Sequence, residues 1–566
     1  MTRRFLILLP VLTFFALRCF SQNISNDNRL RDIVGHYGQV EVTIPYTDNK
    51  ALDNLTRKVS ILSVKNKIVH ISLSPLTVEW FILQKFDYLI IEITENKGVV
   101  TASDMNQAME WDSYPTYTQY DSIMQSFKTL YPALCHLDTI GTSVNGKLVL
   151  ALRISDNAGN DEDEPEVFYS STIHGDETGG FVLMLRLMDY LLRNYNLDTR
   201  MKNLVDNLEI WITPLTNPDG TYKTGNTITS PTRYNANGVD LNRNFPDPFT
   251  PNTEKQKETL DMIKFMRAHR FVISANFHSG SEVVNYPWDR WLSKFHADDS
   301  WFNRISRAYA DTAHVYSGPA YMNELDNGVT RGADWYVIYG GRQDFVTYEL
   351  QGREVTIELD DQNVTPAAQL ALLWQNNWRS LLGYLENALY GIHGLVRAAG
   401  SSAPVPAKIF ISGHDNDSSH IYSDTLTGSF IRLLAPGSWN LTFSAIGYND
   451  TTISNIIVAP EQKTEITVNM VPVVNSIDRT NPVTPILYPN PATTEIKALL
   501  PDRIIGSVNV AIINNSGKLL SEYNTEVFQD VPLLIDVKRL SGGIYSVVFT
   551  NTVSKISYRG RFIIIK

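Results

Sequence analysis

Between residues 37 and 100 the chain alternates apolar and polar positions in short runs: QVEVTIPY, KVSILSV, KIVHISL and DYLIIEIT. Successive side chains point to opposite faces of a strand, so this period of two predicts a small α/β or β-rich module. Residues 101–113 lack the period and read as a linker. From about residue 114 helical and strand patterns take turns. TQYDSIMQSFKTLYPAL reads as a helix, KLVLALRI and EVFYSSTI as strands, and FVLMLRLMDYLLRNY as a long amphipathic helix. Strand LEIWITPL, helix EKQKETLDMIKFMRAH and strand FVISANFH follow, and the apolar helix AAQLALLWQNNWRSLLGYLENAL closes the unit near 390. Strands alternating with helices predict an α/β sheet with helices on both faces. Residues 391–472 hold short strands between Gly and Pro turns and predict a small β-sandwich. VVNSIDRTNPVTP is a linker over 473–485, and 486–566 again reads as short strands and turns.

The chain has 566 residues, and at roughly 150 residues per domain it accommodates three to four domains. A formal net charge of -11 leaves no basic footprint for nucleic acid. The N-terminus has Arg3 and Arg4 ahead of an apolar run from Phe5 to Leu17, the pattern of a signal peptide over residues 1–22. That run is short for a membrane span, and no later stretch supplies one. Cleavage near Gln22 would remove Cys19 and leave Cys135 without an intrachain partner, so the exported chain relies on its cores rather than on disulfides. Cys135, in YPALCHLDTI, reads as a buried thiol.

Chemistry gathers where strands end. EVFYSSTI runs into His174-Gly175-Asp176-Glu177, and a helix pattern starts just after it. A histidine and a glutamate three apart at a strand-to-helix corner can face one metal, and His278, ending FVISANFH, can join them from an adjacent parallel strand. Two imidazoles and a carboxylate suit Zn²⁺ and leave a fourth position for water. Such a pair alone is more often a solvated turn. Three further segments sharpen it. Asn217-Pro218-Asp219-Gly220 reads as a turn after a strand. Arg233 to Phe245, with Asp240, Asn242 and Arg243, packs polar groups densely into a loop. Glu358 lies within the apolar strand VTIEL, where a carboxylate is costly unless it is functional or points outward beside Thr356. A carboxylate base, a metal and an arginine cluster together suit hydrolysis of a substrate with an anionic end.

Over about 114–390 these segments resemble the zinc metallocarboxypeptidase family, closest to its regulatory (N/E-type) branch. The resemblance implies a mixed α/β sheet, one Zn²⁺ per catalytic domain, and hydrolysis of the C-terminal bond of peptides and proteins. It implies His174, Glu177 and His278 as zinc ligands, Glu358 as general base, and Arg233 as the group that polarises the scissile carbonyl. Asn242 and Arg243 would clamp the substrate's terminal carboxylate, a task suited to the planar guanidinium fork. Tyr336 would close over the substrate, and Asp240 would orient a ligand histidine from behind. Gln343 and Asp289 match pocket positions that favour a leaving Lys or Arg, with Arg342 and Arg290 as neighbours of unknown direction.

The flanks carry resemblances too. Residues 391–472 resemble the transthyretin-like domain that follows catalytic units in the regulatory branch. Residues 486–566, with Tyr488-Pro-Asn-Pro491, Leu540-Ser-Gly-Gly-Ile-Tyr545 and a basic-apolar end, resemble a type A C-terminal sorting domain of the type IX secretion system. That implies a signal peptide followed by export through the type IX machinery, to the surface or the medium. Residues 23–105 sit where a propeptide would. The rival expectations are a cell-wall peptide carboxypeptidase or amidase of the same fold, and an inactive peptide-binding homologue.

Overall fold

The structure is a computed structural model describing residues 26–566, apart from 47, 92–97, 161, 249–253, 474–484, 502–503, 516 and 529–530. The signal-peptide reading of residues 1–22 and nearly all of the 473–485 linker lie outside the described residues. The chain divides after Pro472 into two units.

In the first unit the alternating runs near the N-terminus form strands β1 (Val40–Pro45), β2 (Ser60–Lys65), β3 (Ile68–Leu73) and β4 (Leu89–Ile91). They pair antiparallel in the order β2-β3-β1-β4, which leaves β2 on an edge. Helices Asn49–Thr56 and Val78–Gln84 complete an α/β module rather than a purely β one.

The central sheet has eight strands. These are β5 (Cys135–Thr142), β6 (Leu148–Ile154), β7 (Glu166–Ser171), β8 (Glu209–Thr213), β9 (Phe271–His278), β10 (Ser281–Tyr286), β11 (Val329–Arg331) and β12 (Glu354–Asp360). Their order is β11-β10-β12-β9-β7-β8-β6-β5. β8, β7, β9 and β12 run parallel, β5 and β6 pair antiparallel with their neighbours, and β10 pairs antiparallel with β12 and parallel with β11, so the sheet is mixed. Strand alternation sends Val167 and Tyr169 of β7 into one core and Phe168 into the other. The first core is covered by helices Gly179–Asn194, Asp299–Ser317 and Leu370–Glu386, the second by helix Lys257–Ala268. Leu185, Leu187, Met188 and Leu191 on the first of these helices are fully buried, each contributing about 1.5–3 kcal/mol. Helix Tyr117–Leu130 begins at Thr116, whose hydroxyl accepts from Gln119 N while the Gln119 side chain accepts from Thr116 N, a reciprocal cap that satisfies two end N–H groups.

Residues 391–472 form facing sheets of three and four strands around Ile392, Val396, Leu441, Phe443 and Val468. A buried ionic cluster fastens this sandwich to the central sheet. Arg432 donates to Asp298 at 2.5 and 3.1 Å and to Asp415 at 2.7 Å, and Arg353 donates to Asp298 at 2.7 Å. The second unit is likewise built from sheets of three and four strands, around Ile496, Val510, Val547, Phe549 and Phe562. Among the described residues no helix is long and apolar enough to cross a membrane.

Candidate active site

β7, β9 and β12 lie side by side and parallel, so their C-terminal ends open at one place, where ligands bind in open α/β sheets. His174 and Glu177 follow β7, His278 ends β9, and Glu358 on β12 stands opposite His278 in register. The corner after β7 is tight. A Cβ on Gly175 would fall 2.4 Å from the carbonyl carbon of Gly220, so the two glycine segments touch backbone to backbone. The Asn217–Gly220 segment, expected as a turn, makes one helical turn over Pro218–Thr221, with Asn217 Oδ1 accepting from Gly220 N at 3.0 Å.

The three expected ligands converge. His174 Nδ1 lies 2.8 Å from Glu177 Oε1 and 3.0 Å from His278 Nδ1, and His278 Nδ1 lies 2.7 Å from Glu177 Oε2. Their side chains are 2–4% exposed. Two ring nitrogens and a carboxylate pointing at a common centre fit Zn²⁺. The outer nitrogens support that role. His174 Nε2 lies 3.1 Å from Asp240 Oδ1, and Asn276 sets its amide 2.8 Å from His278 Nε2. An N–H at His278 Nε2 calls for the amide oxygen opposite it, which gives the otherwise unpartnered Asn276 Oδ1 its hydrogen bond. Burial pushes His278 down to about 4, so the imidazole is neutral at neutral pH with a lone pair to offer.

Around this centre lies a cavity of about 450 Å³ lined by nine of the eleven expected site residues. Asp240 and Gln343 stand behind its wall. Arg233 donates from Nε to Asp240 Oδ2 at 2.9 Å and from Nη1 to Glu177 Oε1 at 3.1 Å. Asn242 Oδ1 accepts from Arg342 N at 2.9 Å. Arg243 donates from Nη1 to Asn242 O, while its buried Nε and Nη2 have no partner. A buried guanidinium edge left open is costly unless a ligand completes it. Glu358 Oε2 is likewise buried and unpartnered, and Thr356 lines the same cavity, so both side chains on that side of β12 face the site rather than solvent. Burial, with help from the Glu177 charge, pushes the Glu358 carboxyl well above its ordinary range.

At the far end sits Asp289, 4% exposed. Its Oδ1 accepts from Gln343 Nε2 at 3.0 Å and from Asn285 Nδ2 at 3.1 Å. The two neighbouring arginines point elsewhere. Arg290 pairs with Asp247, and Arg342 with Glu354 and Ser170. Neither lines the cavity.

A zinc carboxypeptidase family model matches residues 120–380, and a secretion system C-terminal sorting domain model matches 486–566. Human carboxypeptidase N catalytic chain is 32% identical over 414 residues, covering 64% of this chain and 87% of that protein. Carboxypeptidase SOL1 of Arabidopsis thaliana is 33% identical over 353 residues, covering 60% and 69%. Human carboxypeptidase D is 35% identical over 381 residues, covering 64% of this chain and 27% of that protein.

The chain belongs to the zinc carboxypeptidase family.

It spans about a quarter of the length of carboxypeptidase D, and its last block is a secretion-type sorting domain. Two further histidines of the carboxypeptidase unit hold local structure. His269 Nδ1 meets Glu166 at 2.5 Å, and His314 Nε2 meets Met322 O at 2.8 Å. Sequence reasoning missed Asn276 and Asn285, although each lies within four residues of an expected site residue on the same strand or just after it. It also missed Gln39 and Ser60. Gln39 accepts from Arg233 N at 2.8 Å and donates to Asp176 Oδ2 at 2.9 Å, and Ser60 Oγ donates to Asp240 Oδ2 at 2.6 Å. Contacts spanning well over a hundred residues leave no local signature.

Proposed function

We propose that this chain is an exported zinc-dependent carboxypeptidase that removes single residues, preferentially Lys or Arg, from peptide C-termini. The observation that carries the reading is the open, buried guanidinium edge of Arg243, in one cavity with a convergent His174–Glu177–His278 set and the acidic floor of Asp289. Bound by those three residues, zinc would supply a Lewis acid that polarises a carbonyl and acidifies water. The chain's own residues do the rest. Arg243 and Asn242 hold the terminal α-carboxylate, which fixes the last peptide bond near the metal set. Arg233 steadies charge developing on the scissile carbonyl oxygen. Glu358, raised by burial, accepts a proton from the attacking water and hands it to the departing amine. Tyr336 closes over the substrate, and Asp240 keeps His174 oriented. Asp289, held from behind the wall by Gln343, receives the side chain of the leaving residue. With Arg290 and Arg342 engaged elsewhere, Asp289 is free to meet a cationic side chain.

The domain plan follows: signal peptide 1–22, an N-terminal module 23–105 in the position of a propeptide, catalytic unit 114–390, transthyretin-like sandwich 391–472, linker 473–485, and a sorting domain 486–566 that guides type IX export and is then removed. Pairs of peptides with free-acid and amidated C-termini test the activity. Free acids should be cut and amides spared. Equal cleavage of both would point to an endopeptidase or amidase.

A further inference from the structure

One helical turn holds the floor of the side-chain pocket from behind. Asp289 comes three residues after β10, outside any helix or strand. Its polar groups are nevertheless all engaged but one. Oδ1 accepts from Gln343 and Asn285, the carbonyl accepts from Ile338 N at 3.0 Å, and the N–H donates to Asp344 Oδ1 at 3.0 Å. Asp344 Oδ2 accepts from the next N–H, that of Arg290, at 2.9 Å. Only Asp289 Oδ2 is left for a ligand in the cavity that this residue lines. Gln343 and Asp344 are consecutive in the first turn of helix Arg342–Glu349, so one grips Asp289 by its side chain and the other by its backbone. Arg342, just before them, donates its N–H to Asn242 Oδ1 at 2.9 Å and its guanidinium to Glu354 Oε2 at 2.9 Å. The same turn therefore reaches both the carboxylate clamp and the pocket floor, and it is anchored to the strand that carries Glu358.

The allocation of Asp344 is the informative feature. An acid at the third helical position ordinarily serves its own helix end, where N–H groups lack partners. Here both oxygens accept from another segment. Asp344 is 5% exposed and stands beside a second buried carboxyl. Burial and the Asp289 charge push it well above its ordinary range, against the pull of the two N–H bonds. On the other side of Asp289 lies Gly332, where a Cβ would fall 1.7 Å from Asp289 Oδ1 and 2.8 Å from Asn285 Oδ1. The carboxylate thus occupies the space that a side chain at 332 would take, and it has one place to sit. We propose that Asp344 is a positioning residue for the leaving side chain: by holding the N–H groups of Asp289 and Arg290 it keeps the Asp289 carboxylate aimed into the cavity. Asp344 itself stays behind the cavity wall. Substrates with a cationic leaving side chain depend on it, and those with an apolar one do not.

This inference rests on the carboxypeptidase reading, and one experiment separates the two. kcat/KM is measured on the zinc-loaded full chain for matched peptides ending in Lys and in Leu. The Lys-to-Leu ratio, taken on one preparation, does not depend on the fraction of enzyme that is folded. Asp344→Asn keeps the volume but sets an amide NH₂ against one of the two backbone N–H groups. The ratio should fall roughly tenfold to a hundredfold, the scale set by misplacing a positioned group by about 1 Å. The loss should lie in the Lys arm, through a higher KM, with the Leu arm within about threefold of the parent. Asp344→Ala should lower the ratio at least as far. In a chain already carrying Asp289→Asn, adding Asp344→Asn should move the ratio by less than about twofold, since a residue that acts through another then has nothing to position. Equal falls in both arms would make Asp344 a general structural residue, and an unchanged ratio would leave it without a role in selectivity. An undiminished effect in the Asp289→Asn chain would mean that Asp344 acts on the substrate by another route. Each of these overturns the positioning role and leaves the peptidase reading intact. A parent chain that prefers Leu would remove the basic pocket and this role together, with cleavage itself intact. No release of a terminal residue from either peptide by the parent would refute the peptidase reading as well.

Discussion

Replacing Asp289 with Asn keeps the shape of the pocket floor and removes its charge. The carboxylate is 4% exposed and held by Gln343 and Asn285, and an Asn Oδ1 can accept both hydrogen bonds, so the pocket should persist. Losing one partner of a desolvated charge pair costs about 2 to 5 kcal/mol. At about 1.4 kcal/mol per factor of ten, kcat/KM for peptides ending in Lys or Arg should fall roughly 30-fold to several thousandfold. Peptides ending in Leu should change little. The pH dependence gives an independent reading. Burial pushes Asp289 up to about 6, against smaller opposing effects of the Asn285 hydrogen bond and the Arg243 charge. Preference for Lys over Leu should therefore grow as pH rises through about 6, and Asp289→Asn should flatten that rise. The stability effect has the opposite sign. With the folded value above the unfolded value of about 4, the contribution of this group is present below about pH 4 and is lost as pH rises through about 6. The assay is kcat/KM across pH for peptides ending in Lys, Arg, Leu and Glu. A parent enzyme preferring Leu or Glu, or an Asn variant with an unchanged Lys-to-Leu ratio, would refute the pocket assignment.

Glu358→Gln should lower the rate about 10²-fold to 10⁴-fold with zinc retained; near-normal turnover would assign water activation elsewhere. His278→Ala should lose most of its bound zinc by metal analysis, and full occupancy would overturn the ligand set. Arg432→Ala leaves Asp298 buried with one fewer cationic partner and should destabilise the first unit by about 3 to 5 kcal/mol in denaturant unfolding; a shift below about 1 kcal/mol would mean that water enters the cluster. Mass spectrometry of the protein from its native host should find a C-terminus upstream of about Tyr488, whereas an intact Lys566 would make the last block a permanent domain.

The site was legible where strong local patterns ended in unusual residues. EVFYSSTI, FVISANFH and VTIEL announce strands by their apolar content, and His174, His278 and Glu358 stand out because such residues seldom occur there. β10 and helix Asp299–Ser317 went unread. The helix carries Asp, Asn, Arg and Ser through its length, and its apolar face of Phe302, Ile305 and Tyr309 emerges only once it packs on the sheet. The directions of Arg290 and Arg342 depended on partners at Asp247 and Glu354. Both partnerships are set by tertiary packing rather than by sequence period. For the same reason nothing near Ser60 marks it as a neighbour of Asp240, 180 residues away.

Zinc-dependent hydrolysis is proposed to start from a free carboxyl end and to release one residue at a time. Mass spectrometry of an N-acylated tripeptide ending in Lys, incubated with the zinc-loaded full chain and with a chelator-treated control, tests it directly. Free lysine and the acyl-dipeptide should appear in equal amounts, only in the zinc-loaded sample and only when the terminal carboxyl is unblocked. Cleavage at another bond, or identical products from the chelator-treated chain, would contradict it.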